Sequence, residues 1–375
     1  MDWDLDINIY FEPRKMFNKR IENLEETVTF SELVRSWDKS SEIPIEEVPG
    51  IVTNCIITTE DCSSILTNFL ENAEFLITIF KNLKFKKILI NNPPHFFYSK
   101  LLLLKDKEQI ETHYHKYKKL TEKQINSVAD IFDERIIGQS TAKKSILRKL
   151  IAQMIRPSNK PLVLMFYGEP GVGKTETARY LSDILYGNKN IVREQMSMAG
   201  GDYSVKYYKS TSHADNSFSK TLLNRESNII LLDEFALAPN FFHTTFFQMF
   251  DEGIFVDQNF TVDVSNSIII CTSNLLTIKE MEETLDSALL SRFDGFIHFQ
   301  NFSIEEKKII ATKIYDELTS PSSMKAKYKQ QLSQKLILNE VYLKLETLPN
   351  VRAIRKYVED CVSSELMRSI INNKK

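Results

Sequence analysis

The sequence predicts an α/β protein in which a mainly parallel sheet is covered by helices on both faces. Three apolar runs lead to this fold class, since each has the length and composition of a buried strand and helical patterns separate them. They cover residues 162–167, 228–232 and 267–273. From residue 303 onward the pattern is mainly helical, so we expect a helical lid beside the sheet.

Three domains are expected along the chain. Their predicted bounds are residues 1–125, 126–300 and 301–375. In the first, apolar stretches at 51–57 and 86–91 flank a long amphipathic helix that ends near Leu83. This β-α-β pattern predicts a small N-terminal α/β domain, and no catalytic pattern is recognisable within it.

Two polar segments are harder to assign. The charged segment 106–123 is predicted to be a solvated connector helix, and it contains His113 and His115. Side chains two residues apart do not share a helix face, so we do not expect a metal site there. The segment 200–219 is polar with several aromatic residues, and we expect it to form a loop.

Composition excludes several classes of protein. The chain is 42% apolar and 26% charged, and its formal net charge of −2 gives no global preference for nucleic acid or anionic membranes. Its four cysteines match no zinc-ligand spacing, so we expect them to be buried apolar residues. No apolar run is long enough to span a membrane, and the acidic start does not resemble a signal peptide. We therefore expect a cytoplasmic protein.

The stretch after the first apolar run is the strongest functional signal. It consists of Gly168, Glu169, Pro170, Gly171, Val172, Gly173, Lys174 and Thr175, which fit the phosphate-binding pattern G-x-x-x-x-G-K-[ST]. Glycines let the backbone approach an anion closely, and the following helix presents its N-terminal N–H groups to the phosphates. Lys174 would contact the β- and γ-phosphates, and the Thr175 hydroxyl would ligate Mg²⁺. A glycine-rich turn that matches by chance is the alternative, and the strand–loop–helix context disfavours it.

Two carboxylates, Asp233 and Glu234, end the second apolar run. When two carboxylates follow a phosphate-binding loop (P-loop) such as residues 168–175 along the chain, the aspartate typically holds Mg²⁺ through water. The glutamate then polarises the attacking water as a general base. Carboxylates that only close a strand are the alternative interpretation.

Three further polar residues follow in an order that supports a nucleotide site. Asn274 ends the third apolar run, where its amide would orient the attacking water or simply cap the strand. Arg292, between a predicted helix and strand, would stabilise charge at a neighbouring subunit's γ-phosphate or form an ion pair with Asp294. Arg352, near the start of a lid helix, would report the nucleotide state or be an ordinary surface arginine.

Taken in this order, the motifs resemble those of an AAA+ ATPase, and more narrowly those of the Clp-type unfoldase and disaggregase modules. The resemblance covers about residues 127–370. It implies that Ile136 and Ile137 flank the adenine and that Glu176 joins the P-loop in the nucleotide site. It also implies ATP and Mg²⁺ as cofactors and a homo-oligomeric ring, most simply a hexamer, in which Arg292 completes the adjacent site.

Two motifs depart from the Clp pattern. The family's Gly-Tyr-Val-Gly pore loop falls near Tyr207 and Tyr208, which lack the flanking glycines and valine. The two tyrosines are therefore candidate pore-loop residues, and a polar loop packed on a neighbour or partner is the alternative. In the lid, the family's Gly-Ala-Arg appears as Asn350-Val351-Arg352, which keeps only the arginine.

These features predict an ATPase that remodels or translocates a macromolecular partner, most simply a protein bound by the N-terminal domain. An ATP-gated assembly switch or scaffold with slow turnover is a second hypothesis. Action on a nucleic-acid complex is a third, and the near-neutral charge argues weakly against it. No membrane role is expected.

Overall fold

The computed structural model describes residues 4–38, 53–106, 108–155, 160–187 and 189–372. The first two residues of the strand predicted over 51–57 lie outside these ranges. The described chain contains two five-stranded sheets in which every paired strand is parallel, followed by a helical C-terminal part. This arrangement confirms the predicted fold class.

The N-terminal sheet has the strand order β2-β3-β4-β1-β5. Its strands are β1 (Asp6–Phe11), β2 (Thr27–Thr29), β3 (Asn54–Ile57), β4 (Lys87–Asn91) and β5 (Gln109–Tyr114). Its helices are α1 (Arg14–Ile21), α2 (Phe30–Asp38), α3 (Thr59–Ser63), α4 (Thr67–Glu71), α5 (Ala73–Asn82) and α6 (His95–Leu102). Helices cover both faces: Ile88 and Ile90 pack in the larger core, whereas Leu89 packs with Phe17 on the other side.

Two sequence predictions in this region are wrong. The long helix that ends near Leu83 is three helices, because Asn72 leaves helical geometry and its side chain accepts a hydrogen bond from the Phe75 N–H at the start of α5. The helix predicted over 106–123 is instead β5, an edge strand paired with β1. An edge strand that is covered on one face alternates polar and apolar residues, so it carries little hydrophobic signal.

The second sheet has the order β12-β6-β11-β8-β7. Its strands are β6 (Leu162–Tyr167), β7 (Val192–Gln195), β8 (Ile229–Asp233), β11 (Ile268–Ser273) and β12 (Gly295–His298). The strands β9 (Ile254–Val256) and β10 (Thr261–Asp263) form a separate antiparallel hairpin. The helices of this region are α7 (Glu122–Arg135), α8 (Ser140–Ile155), α9 (Lys174–Tyr186), α10 (Gly201–Lys209), α11 (Phe218–Leu223), α12 (Asn240–His243), α13 (Phe247–Glu252), α14 (Ile278–Thr284) and α15 (Ser287–Leu290). Strands β6, β8 and β11 are buried along their whole length, as expected for central parallel strands.

The C-terminal part is helical and has a core of its own. It contains α16 (Ile304–Leu318), α17 (Ala326–Lys329), α18 (Gln334–Lys344) and α19 (Val351–Asn372). Apolar residues of α16, α18 and α19 form this core, and Ile137 packs against it. No described helix has the length and apolarity needed to cross a bilayer. All four cysteines are buried and unpaired, as the sequence predicts.

One buried amide joins three segments around the P-loop. Gln139, which is 2% exposed, lies just before α8. Its Nε2 donates to the carbonyls of Val172 (3.2 Å) and Gln300 (2.8 Å), and its Oε1 accepts from the Gln300 N–H (3.0 Å). Since Val172 belongs to the P-loop and Gln300 follows β12, this side chain holds the loop against the end of the sheet.

We expect Gln139→Leu to lower the free energy of unfolding by about 2–4 kcal/mol, because each buried polar group left unpaired costs roughly 1–3 kcal/mol. Urea denaturation followed by circular dichroism measures the change. Gln153→Leu is the matched control, since that amide lies at the surface and donates to the Lys160 carbonyl. Equal losses in the two variants would contradict the role given to Gln139.

Candidate nucleotide site

The P-loop connects the buried strand β6 to the first residue of α9. Gly168, Gly171 and Gly173 have φ values of +135°, +78° and +104°, which side chains with a Cβ rarely adopt. A Cβ on Gly168 would also collide with the carbonyl oxygen of Phe299, just after β12. The loop therefore needs glycine for its conformation and for its close approach to the sheet. Because α9 begins at Lys174, its free N–H groups open onto the loop.

Lys174 folds back over the loop. Its ammonium group donates to the carbonyls of Gly168 (2.6 Å) and Glu169 (2.8 Å) and to the Asn274 Oδ1 (3.1 Å). Burial lowers the pKa of Lys174 to about 8, while the negative charge of Asp233 opposes this shift. The structure thus brings Lys174 and Asn274 within hydrogen-bonding distance of each other.

Asp233 is the centre of the polar cluster. The Thr175 hydroxyl lies 3.3 and 3.4 Å from its two carboxylate oxygens, and the Thr272 hydroxyl donates to Oδ1 at 2.6 Å. Arg193 donates to Oδ2 from Nη2 (2.5 Å) and Nε (3.1 Å). The two predicted metal ligands, Thr175 and Asp233, are therefore adjacent. Hydroxyl and carboxylate oxygens are donors that Mg²⁺ prefers, so this pair fits the ion.

Glu234 has a strained backbone. Its φ and ψ of +56° and +39° lie in the left-handed region, which is uncommon for a residue other than glycine. The Glu234 N–H donates to the Thr272 hydroxyl at 2.8 Å, and its carboxylate accepts from the Gln195 amide at 2.5 Å. Such strain clusters at functional sites when surrounding contacts hold the residue in place, as Thr272 and Gln195 do here.

The lid contacts the P-loop directly. Asn350 packs against Gly171, where an added Cβ would lie 3.1 Å from the Asn350 Cβ. The Asn350 side chain also caps α19 by accepting from the Ala353 N–H at 3.0 Å. Arg352 is exposed in the first turn of this helix, and its positive charge contributes to the lowered pKa of Lys174. The predicted lid arginine therefore lies within electrostatic reach of the P-loop.

The remaining predicted contact residues lie in the segment before α8, in the P-loop and in the first turn of α9. Ile136 is buried in the core that also contains Val172, and Ile137 packs on the lid core. Pro170 and Glu176 are exposed on the loop and on the first turn of α9. The segment that contains Ile136 and Ile137 thus connects the P-loop core to the lid.

Arg292 does not face the site of its own chain. Its Nε lies 2.8 Å from the Asp251 Oδ2, and its guanidinium stacks over Phe247 at 4.0 Å from the ring centroid. The ion pair described for Arg292 is thus with Asp251, and the carboxylate of Asp294 accepts from the Val163 N–H at 3.0 Å. Arg292 is therefore separate from the cluster formed by Lys174 and Asp233.

The structure places Tyr207 and Tyr208 on a helix rather than on the expected loop. The segment 200–219 is not a loop throughout, because α10 occupies residues 201–209. Tyr208 is 5% exposed and packs on Phe218, Phe242 and Phe246, and its hydroxyl contacts Glu194. The Tyr207 hydroxyl donates to the same carboxylate at 2.8 Å. A tyrosine in the core cannot grip a threaded polypeptide in this conformation, so Tyr208 is a packing residue here.

Two site residues escape the sequence motifs. Arg193 and Gln195 lie on β7, beside β8, and contact Asp233 and Glu234 respectively. Since they are two residues apart on a strand, they share one face. No local pattern marks them, because the strand reads Val-Arg-Glu-Gln and its pairing with β8 forms only in the folded chain.

Comparisons with known proteins agree with this geometry. Residues 159–339 match the family model described as AAA domain (Cdc48 subfamily). The ATP-binding subunit ClpC of the Staphylococcus aureus Clp protease is 26% identical over 282 residues, which cover 64% of this chain and 34% of ClpC. The chaperone protein ClpB of Malacoplasma penetrans is 25% identical over 280 residues, which cover 67% of this chain and 40% of ClpB. The alignments thus span little more than a third of these relatives.

A solved structure supports the fold. A closed-state cryo-EM reconstruction of Hsp104 with ATPγS and FITC casein superposes with a TM-score of 0.56 at 13% identity. The match covers 98% of this chain and 89% of that one. Together with the arrangement of Lys174, Asp233 and Glu234, these comparisons show that residues 159–339 match an AAA domain and that the chain is similar to the Clp-type proteins.

Proposed function

We propose that this chain binds ATP with Mg²⁺ and hydrolyses it in a homo-oligomeric ring, most simply a hexamer, to remodel or translocate a protein partner. The observation that carries the proposal is the convergence of Lys174, Thr175, Asp233, Glu234 and Asn274 at the carboxyl end of one parallel sheet. These residue types supply the parts that phosphoryl transfer needs, namely positioning, charge neutralisation and a base for the attacking water.

Each side chain has a defined task in this proposal. The loop N–H groups and Lys174 would bind the β- and γ-phosphates, with Lys174 leaving its present carbonyl partners. Mg²⁺ bound at Thr175 and Asp233 would neutralise phosphate charge. Glu234, held by Gln195 here, would take a proton from the attacking water, and the Asn274 amide would orient that water. Arg352 would contribute positive charge from the lid, on the other side of the nucleotide from the sheet.

Assembly is supported by the position of Arg292. An arginine that stabilises charge at a neighbour's γ-phosphate has to point away from its own P-loop, and Arg292 lies with Asp251 and Phe247 instead. A neighbouring subunit that brought its nucleotide to this surface would receive the guanidinium. The ClpB relative is a chaperone protein, which supports a protein as partner. We propose the N-terminal domain as its binding site and the cytoplasm as the location.

A second function, an ATP-gated switch with slow turnover, is favoured by one specific observation. The segment after α10 is docked on the N-terminal domain, since the His213 Nε2 lies 2.9 Å from the Ile65 carbonyl oxygen. A docked segment is not free to grip a partner. Steady-state ATP turnover with and without a partner separates the two functions, because a motor turns over repeatedly. Action on a nucleic-acid complex is not favoured, and salt-dependent binding to DNA or RNA is its test.

Glu234→Gln is expected to keep nucleotide affinity within about threefold and to lower kcat by about 10²-fold or more, because the amide cannot accept the proton. A coupled-enzyme ATPase assay and binding of a fluorescent ATP analogue measure the two effects. Glu252→Gln, an exposed change at the end of α13, is the control. Turnover at the wild-type rate in Glu234→Gln would contradict the assignment of the base.

Arg292→Ala is expected to leave nucleotide binding nearly intact and to lower kcat by about 10³-fold or more, as loss of an arginine finger does. Mixing this variant with Glu234→Gln should restore part of the activity, since some interfaces then combine an intact base with an intact arginine. Arg355→Ala, which removes a surface pair with Glu317, is the control. Mixed assemblies without any rescue would argue against sites shared between subunits.

A further inference from the structure

Arg193 lies between two groups of residues. On one side it pairs with Asp233, with Nη2 and Oδ2 2.5 Å apart. On the other side its half-exposed side chain lines a polar cleft of about 710 Å³ between the N-terminal domain and the second sheet. Rotation of this long side chain would bring the guanidinium towards a carboxylate on the cleft side.

The facing wall of this cleft carries such a carboxylate. Residues of α3, including Glu60 and Ser63, line it. The Glu60 side chain is 65% exposed, and its ion pair with Arg14 is long, at 3.5 Å. Glu60 is also close enough to Lys220 to influence the pKa of that ammonium, although burial is the larger effect and lowers it. Glu60 therefore has room for a second cation.

Helix α3 is held in front of the second sheet by residues 210–217, which we call the docking segment. Within it, His213 is 6% exposed and its Nε2 lies 2.9 Å from the Ile65 carbonyl oxygen, just after α3. Lys220 bonds to both the His213 carbonyl (2.7 Å) and the Ser63 hydroxyl (2.8 Å). These contacts hold α3 at the cleft. A new contact made by Arg193 across the cleft would therefore act on α3.

Asp233 cannot pair equally strongly with Mg²⁺ and with the Arg193 guanidinium at the same time. A divalent ion at this carboxylate repels the nearby guanidinium and takes over the charge that now holds Arg193. We propose that binding of Mg²⁺ and nucleotide transfers Arg193 from Asp233 to Glu60, so that the N-terminal domain is held more tightly in the nucleotide-bound state. The inference rests on the proposed function, because it requires Mg²⁺ at Asp233. It makes Arg193 a positioning residue whose charge reports occupancy of the site to the N-terminal domain.

Hydrogen exchange on the full-length chain tests this switch. Mg²⁺ with ATPγS should slow exchange of the amides of residues 59–65 by about 2- to 5-fold, the range expected for one exposed ion pair. ATPγS with EDTA should leave this exchange unchanged, since the Mg²⁺ that competes with Arg193 for Asp233 is then absent. Glu60→Gln and Arg193→Gln should abolish the effect, and Arg193→Lys should retain part of it. Glu71→Gln, an exposed change on α4, should behave as wild type.

Affinity for a fluorescent ATP analogue, measured in the same samples, separates failure of the switch from failure of the proposed function. If the wild-type chain binds no nucleotide with Mg²⁺, the proposed function fails. If it binds nucleotide but exchange at 59–65 is unchanged, or slows equally in Glu60→Gln, the switch is overturned. Glu60→Gln itself should still bind the analogue, with affinity lowered by no more than about the same 2- to 5-fold, because linkage couples pair formation to nucleotide binding.

Discussion

The hydroxyl of Thr272 is the contact on which both carboxylates of the site depend. It donates to Asp233 at 2.6 Å and accepts the N–H of Glu234 at 2.8 Å, so one side chain fixes the orientation of two successive residues. It can do so because β11 runs parallel to β8 with Cys271 opposite Leu232, which places Thr272 level with Asp233. The parallel register on the other side of β11 sets Ser273 opposite Tyr167 and brings Asn274 to the P-loop.

This register also explains why the motifs could be found from the sequence. Parallel strands buried on both faces are continuous apolar runs, and polar residues at their carboxyl ends meet at one edge. Lys174, Asp233, Glu234 and Asn274 each follow or end such a run, so their convergence could be predicted. Their roles in catalysis stay predictions.

Other features had no local signal. The strand β5 has polar alternation and becomes a strand only by pairing with β1, which is a tertiary effect. Arg193 contacts Asp233 only because β7 pairs with β8, and this pairing cannot be predicted from the sequence of either strand alone. The polar segment around Tyr208 predicts an exposed side chain that could contact a partner. Its aromatic ring instead packs against Phe218 and Phe246, in a cluster that forms only in the folded chain.

The way the N-terminal domain is attached limits how it can bind a partner. In open parallel sheets, ligands bind at the carboxyl ends of the strands. Here the segments after those ends contact the second sheet region: the His95 N–H, which follows β4, donates to the Asn259 carbonyl at 2.7 Å, and the Arg14 N–H, which follows β1, donates to the Asn224 side chain at 3.2 Å. Much of that edge is therefore occupied by the rest of the chain. Under the proposed function, a protein partner would have to use the outer helices or the opposite edge of this sheet, and the carboxyl edge would be the contact through which nucleotide hydrolysis acts on the N-terminal domain.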